Sequence, residues 1–364
     1  MAEYIAPGVY VVEIPAGATP IEGVPTSTTG FVGRTNWPGR AIAVTATEAV
    51  AALFPHDAEG LLAQSLLLYF ANGGQRAWVA GMATPDAAGV AAALTELARP
   101  PDVALTAVPE AATLPIGTHE AVIRIQLDDA ARLRRFTIID PPLNAQADDA
   151  HRLRTRFESS FGAMYWPAVV VDGKTTRVVP ASGAVCGVYA RVDQQRGVFH
   201  SPSSQAIAAV SRLAATPTAA ELAALESAGI NTIRSLPGMP PRLSSARTLS
   251  SSADLRYVSV RRYLLMLQNA IRQGTRWAIY ERNDVPLWKE LRARVAEFLR
   301  WQFLDGALMG AHAAEAFFVR CDETTTSVDD RAAGIVVCEI GVAPVRAGEF
   351  IVFRVAQSTA RVGQ

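Results

Sequence analysis

The chain of 364 residues has almost no lysine: Lys174 and Lys289 are the only two among its 34 basic residues, and the rest are arginine. It also has no excess of either charge, because 34 acidic residues balance the 34 basic ones. A balanced chain lacks a counterion-driven grip on nucleic acid or on an anionic membrane, so its expected partners are proteins, with no nucleic acid and no direct membrane insertion. The arginine bias suits packed, bidentate interface pairs, although a genome rich in Ala and Arg codons would give the same bias. Cysteine is scarce. Cys186, Cys321 and Cys338 are odd in number, with neither CxxC spacing nor a nearby histidine pair. That argues against a disulfide framework or a zinc site and leaves each as a small buried apolar residue. No apolar run is long enough to span a bilayer, and no charged start precedes an apolar stretch. The expectation is a soluble chain folded in the cytoplasm, any later export using another route.

Catalytic signatures are missing as well. Gly173, Lys174 and Thr175 look like the end of a phosphate loop, but the earlier glycine is replaced by Ala168, so the backbone has no reason to wrap a phosphate. Around Ser182 the flanking glycines of a nucleophile elbow are Pro180 and Ala184. His119 and Glu120 begin an HExxH pattern whose second histidine is Ile123. The five histidines, His56, His119, His151, His200 and His312, are scattered. The reading is no enzyme, no catalytic residue, no cofactor and no metal. The alternative kept open is an α/β hydrolase whose residues meet only in the fold, using Ser182 or His200.

What is present is half apolar and alternates in period. Residues 4–14 contain PGVYVVEIP, a β-branched and aromatic run between Pro7 and Pro15 that reads as a strand, followed by a Pro, Gly and Thr rich stretch with no second apolar run within hairpin distance. From Phe31 onward the pattern becomes strand, helix, strand. An apolar helix over 61–72 stops at Gly73 and Gly74, and a strand resumes over 77–80. Further α/β alternation runs through 103–108, 122–133, 136–139 and 166–171, and 206–233 reads as two helices separated near Pro217. A Pro, Ser and Arg rich stretch over 235–253 marks a domain boundary. Beyond it, Val260, Leu264, Leu267 and Ile271 recur at helical spacing, with Arg261, Arg262 and Arg272 off that stripe on an expected exposed basic side. Residues 277–281 read as a short strand. Asp284 and Pro286 start a helix with its stripe at Trp288, Leu291, Val295 and Phe298. Strands follow over 316–321, 335–342 and 349–355, and Ser327 and Asp330 have capping-box spacing for one helical turn. The fold class is therefore mixed α/β, in two domains, beginning and ending in strands without a local partner. Such strands either join the chain's own sheet or pair with another chain.

These segments, taken in order, resemble the contractile tail sheath family of phage tails, R-type bacteriocins and extracellular contractile injection systems. The resemblance is carried by PGVYVVEIP with IEGVPTSTTGFVGRT, then FANGGQRAWV, FTIIDPP, SGAVCGVYARVDQQRGVFHSP, RYVSVRRYLL, and the end from RWAIYERNDVPLW through GALMGAHAAEAFFVRCDETTT to VCEIGVAPVRAGEFIVFRV. The chain lacks large outer insertions, so the compact extracellular or bacteriocin-like types look closer. It departs from the family at MPPRLSS, where a glycine and a tryptophan before ARTL are replaced.

The resemblance implies a structural subunit of a contractile sheath, stacked as six-subunit rings in a helix around an inner tube and contracting to drive that tube through a target envelope. Its partners would be other copies of itself, the inner tube, baseplate and terminator proteins, and sheath paralogues. It would be made in the bacterial cytoplasm and become part of a phage tail or a released particle. The implied domains are an arm and linker over 1–22, an outer α/β domain over 23–245, an inner domain over 246–348 and a C-terminal arm over 349–364. The implied donated strands are Val9, Tyr10, Val11, Val12, Glu13 and Ile14 at one end and Phe350, Ile351, Val352, Phe353, Arg354 and Val355 at the other. The receiving strands carry Phe317, Phe318 and Val319 and Val336, Val337, Cys338, Glu339 and Ile340. Arg261, Arg262 and Arg272 are candidates for charges exchanged between subunits, with a solvated helix face as the alternative. Ser327, Asp329, Asp330 and Arg331 are candidates for tube contact. A sheath-like terminator or baseplate adaptor, forming a single ring, is the neighbouring alternative.

Overall fold

Runs such as Thr29–Arg34 and Gly162–Trp166 are buried at nearly every position because both of their faces are covered, the condition of a parallel sheet between helical layers. The computed structural model describes residues 20–55, 57, 60–173, 175–235, 238–345 and 351–358. In chain order the elements up to residue 243 are β1 (Thr29–Arg34), β2 (Ala41–Val44), α1 (Thr47–Leu53), α2 (Leu61–Ala71), β3 (Ala77–Met82), α3 (Ala87–Glu96), β4 (Leu105–Ala107), α4 (Ile116–Leu133), β5 (Phe136–Ile139), α5 (Ala147–Arg154), β6 (Gly162–Trp166), β7 (Val169–Val171), β8 (Arg177–Val179), α6 (Ser182–Arg196), β9 (Arg212–Leu213), α7 (Ala219–Ser227), β10 (Asn231–Arg234) and β11 (Arg242–Leu243). After them come α8 (Val258–Gly274), α9 (Val285–Leu304), α10 (Ala313–Ala316), β12 (Phe317–Arg320), α11 (Val328–Ala332), β13 (Ile335–Val342) and β14 (Ile351–Ser358).

The large sheet has the order β11-β10-β6-β5-β4-β1-β3-β2. Its six inner strands are parallel, and β2 and β11 close the two edges antiparallel. Strand alternation sorts the side chains onto two faces. Phe31, Val79, Ile138, Ala163 and Tyr165 face α2 and α6. Their neighbours Val32, Ala80 and Met82 face α3 and α4, and Ile139, Met164 and Trp166 face α4, α5 and α7. On the first face, α2 and α6 approach closely: a Cβ on Gly183 would meet Ser65 O at 2.3 Å, and one on Gly187 would meet Tyr69 O at 2.4 Å.

A separate core gathers Tyr263, Leu264, Leu267 and Ile271 of α8, Val295, Phe298 and Leu299 of α9, and Ile340 and Val342 of β13. Ile21 and Val198, distant in sequence, belong to it as well. The helix α8 also sends Val258 and Leu265 into the core of the large sheet. It is therefore covered along two stripes and not one.

Two sequence expectations change here. Residues 277–281 are not a strand: Arg276–Tyr280 form a 3-10 turn that links α8 to α9. The stretch 206–233 holds one helix, α7, started by a capping box between Thr218 and Glu221, and not two. Its first part is extended because β9 pairs antiparallel with β7, Ser211 and Ala214 donating to Val170 O and Ala168 O at 2.9 Å each. Tertiary pairing overrides the local helical pattern there.

Candidate functional site

The inner sheet is built on β13. Val336, Cys338, Ile340 and Val342 are buried while Ile335, Val337 and Glu339 are half-buried, the period-2 pattern of a strand with one face on a helical core. Its anchoring to α9 is polar as well as apolar. Asn283 donates to Ile335 O at 2.9 Å and accepts from the Trp288 indole N–H at 2.8 Å, and Asp284 caps α9 by accepting from Leu287 N. The expected receiving residues Phe317, Phe318 and Val319 lie on β12 and Val336, Val337, Cys338, Glu339 and Ile340 on β13, as neighbouring antiparallel strands.

The second edge of β13 is taken by β14 in an unbroken antiparallel register from Ile335 opposite Ser358 to Val342 opposite Ile351. Ile351, Val352, Phe353, Arg354 and Val355 thus lie on the strand expected of them, and in the single chain that strand closes on the chain's own β13. Phe350 falls outside the described residues, as do Val9, Tyr10, Val11, Val12, Glu13 and Ile14. β14 is tied down at its far end, where Gln357 Nε2 donates to Thr275 Oγ1 at 3.0 Å and to Arg272 O at 3.3 Å. Across the outward face, Glu339 pairs with Arg320 of β12 at 3.4 Å and with Arg354 of β14 at 3.3 Å. This charge row spans all three strands of the sheet. It is largely solvent-facing on the arginine side, so it sets register more than stability.

Arg261 and Arg262 are corrected from exposed to buried, at 8% and 4% exposure. They belong to the second stripe of α8, spaced with Val258 and Leu265, which faces the large-sheet unit. Arg262 makes a bidentate pair with Asp193 of α6, Nη2 to Oδ2 at 2.6 Å and Nη1 to Oδ1 at 3.0 Å, and donates to Thr26 O at 2.8 Å. Its guanidinium lies over the Tyr189 ring, 4.7 Å from the centroid. Burial works against its charge, but Asp193 more than offsets that and holds Arg262 above the usual guanidinium range. Arg261 stacks on Phe161 at 3.9 Å, and burial pulls its guanidinium down to about 10. Both arginines are engaged inside the chain and fasten α8 to the large-sheet unit. Arg272 alone of the three is exposed. Its pKa is lowered by partial burial and by the nearby charges of Arg134 and Arg276.

The segment leading into β1 lies on the same helix. Ile21 is buried against α8, where a Cβ on Gly274 would meet Ile21 Cγ1 at 2.7 Å, and Thr26 donates to Asp193 Oδ2 at 2.6 Å. Neither Ile21 nor Asp193 was singled out in the sequence. Asp193 sits four residues past Tyr189 on α6, a spacing that signals a shared helix face but not its partner.

The turn expected to touch a tube is a short helix, α11. Ser327 and Asp330 form its capping box: Ser327 Oγ accepts from Asp330 N at 3.1 Å, and Ser327 N donates to Asp330 Oδ2 at 3.0 Å. The Ser327 hydroxyl, donating to Asp330 Oδ2 at 2.6 Å, and then the Ser327 N–H hold the Asp330 carboxyl below its usual value. Asp329 and Arg331 are exposed, Val328 is 74% exposed, and Arg331 lies over the Trp288 ring at 5.2 Å. The turn connects β12 to β13.

The structure does not bring Ser182 and His200 together. Ser182 is fully buried at the start of α6, where its N–H donates to Asp140 Oδ1 at 2.9 Å. His200 borders a cavity of about 260 Å³ whose lining includes Arg196, Phe199, Ser201, Ser203 and Ser259 but not Ser182. Asp140 is buried, and burial pushes its carboxyl up to about 7 against the pull of the Ser182 and Ala181 N–H groups. His119 contacts Asp140 O at 3.0 Å, and burial lowers its imidazole pKa. Among the described residues no cluster of His, Cys, Asp and Glu is placed to hold a metal, and no helix is long and apolar enough to cross a membrane.

Residues 250–358, which contain α8 to β14, match the family model of the phage tail sheath C-terminal domain. No curated protein sequence matches the chain. Its fold is similar over nearly the whole length to solved assemblies. The helical sheath of the anti-feeding prophage (AFP) in the contracted state is 26% identical, with a TM-score of 0.79 over 98% of this chain and 100% of that one. A chain of the AFP baseplate is 25% identical, with a TM-score of 0.78 over 97% of this chain and 99% of that one. For an extracellular contractile injection system, the PVC sheath complex in the contracted state, the values are 24%, 0.80, 100% and 99%.

Proposed function

We propose that this chain, a contractile tail sheath protein by its fold and by the family of its C-terminal domain, is a structural subunit that polymerises helically around an inner tube and shortens to drive that tube through a target envelope. The observation that carries the reading is the inner sheet, in a chain whose fold follows sheath structures end to end. The third strand of that sheet is the C-terminal segment, separated from β13 by residues 343–350. Every backbone bond β14 makes with its own β13 is available in the same register from a neighbour's β14, so one chain closed on itself and a chain linked to the next differ little in hydrogen bonding. In the assembled sheath the C-terminal strand would be donated to one neighbour and residues 9–14 would add to a further sheet. The segment around Ile21 and Thr26, fixed on α8, would be where the N-terminal arm departs. Residues 23–245 would form the outer domain and 246–348 the inner one, with the α11 turn facing the tube. Rigid bodies joined by exchanged strands stay connected while other contacts break and reform. No catalytic step belongs to this reading. The chain would be made in the bacterial cytoplasm and meet baseplate and terminator proteins in the finished particle.

Electron microscopy of the purified full chain tests this directly: long helical tubes are expected, and monodisperse single particles would sink the proposal. The similarity to an AFP baseplate chain supports a second reading, an adaptor that forms one ring without extending, for which isolated rings are the expected image.

A further inference from the structure

The inner sheet brings two cysteines face to face that are 17 positions apart in the sequence, Cys321 and Cys338. β12 and β13 run antiparallel with Phe317 opposite Val342 and Arg320 opposite Glu339. One residue further, just past the end of β12, Cys321 falls opposite Cys338. Just before β12 in the same register, Ala343 N donates to Ala316 O at 2.9 Å. The hydrogen-bonded pairs of this ladder are therefore 316 with 343, 318 with 341 and 320 with 339, and the two cysteines occupy a non-hydrogen-bonded pair. At such a pair the Cα atoms stand about 4.5 Å apart and the side chains approach most closely. That lies within the span of about 4.4–6.8 Å that a disulfide bridges without backbone movement. Both side chains are buried in one cluster with Leu287, Trp288, Leu291 and Val336, so they point to the same face. Both are free thiols. Cys338's thiol is pushed far up by its hydrogen bond with Cys321 and by burial.

We propose that Cys321 and Cys338 form a latent disulfide site, a cross-strand bridge that closes when the protein meets a low-molecular-weight disulfide such as oxidised glutathione. One cysteine loses its proton, and its thiolate attacks a sulfur of the oxidant, forming a mixed disulfide and releasing one small thiol. The second cysteine, deprotonated in turn, attacks the protein sulfur of that mixed disulfide and releases the second small thiol. The protein gives up two protons and two electrons, and the oxidant takes them up as it becomes two small thiols. Burial and protonation make both thiols slow while the sheet is closed. Exchange therefore runs through local opening at the end of β12, an edge strand followed by a turn in which Glu323 and Thr324 are exposed. The bridge closes the loop that carries α11, so it stiffens the turn that connects β12 to β13. Cys186 is fully buried on α6, in the core of the large sheet, and serves as the internal control.

The test is thiol counting on the full chain, incubated with oxidised glutathione, then denatured, alkylated and weighed intact. Free thiols are expected to fall from the three of the reduced protein to one, with a proteolytic peptide joining 321 to 338. In Cys338→Ala the two remaining thiols stay free, and in Cys321→Ser the same holds. Oxidised wild type is expected to melt at a higher temperature than reduced wild type, with no such difference in either variant. Three alkylated thiols in oxidised wild type would overturn the proposal, as would a bridge to Cys186 or between two chains. The wild-type measurement stands by itself if a variant fails to fold.

Discussion

Arg262 and Asp193 are each 4% exposed in their side chains, and a charge removed from water to that degree depends on its partner. Replacing Asp193 by Ala leaves the guanidinium buried and unpaired, which costs about 3–5 kcal/mol. The double replacement Arg262→Met with Asp193→Leu removes both charges and is expected to cost far less. Urea unfolding of the two variants measures the difference; equal losses would mean that the pair does not hold α8 to α6. Asp140 gives a pH-dependent counterpart. Its native carboxyl titrates at about 7 against a usual value of 3.8, so between those values the folded chain holds a proton that the unfolded chain has released. Stability then falls as pH rises through that window, by up to about 1.4 kcal/mol per unit. Asp140→Asn should flatten this slope, read as melting temperature from about pH 4 to about pH 7, the window set by the shift. Parallel slopes for the two proteins would refute the assignment.

At the scale of elements, the α2 and α6 contact rests on two glycines one helical turn apart. Gly187→Ala places a methyl group where Tyr69 O stands 2.4 Å away, and backbone cannot yield as a flexible side chain can. The expected loss is about 1–3 kcal/mol, with α6 shifted off α2. Circular dichroism melting checks it, and unchanged stability would show that the two helices separate freely. The elements themselves were largely legible. The stop of α2 at Gly73, the start of α9 at Asp284 with Pro286, and the capping box of Ser327 and Asp330 rest on local chemistry that no distant contact alters. The 3-10 turn at Arg276–Tyr280 and the extended run before α7 were not legible, because neither follows from its own residues. Arg261 and Arg262 were misread for a related reason: one apolar stripe on α8 was visible, and the second stripe is made partly of charged residues whose partners lie on α6 and at Phe161.

For the whole molecule, strand exchange has consequences that closure on the same chain does not. A chain lacking residues 1–15 is expected to remain a folded monomer and to form no tubes; normal helical tubes from it would end the exchange reading. A chain ending at residue 345 leaves one edge of β13 unpaired. It should bind a labelled peptide of residues 349–359, seen as a rise in fluorescence anisotropy that a scrambled peptide does not give. The sequence by itself determined much of the alternation of strands and helices, the C-terminal strand and the resemblance to sheaths, because periodicity, caps and turn residues are written locally. Only the tertiary structure decided that α8 is buried along two stripes, that Arg262 meets Asp193, that Cys321 faces Cys338, and that β14 takes the open edge of β13. Those outcomes depend on which surfaces meet after the chain has folded, and pairing between distant residues leaves no local periodicity to read.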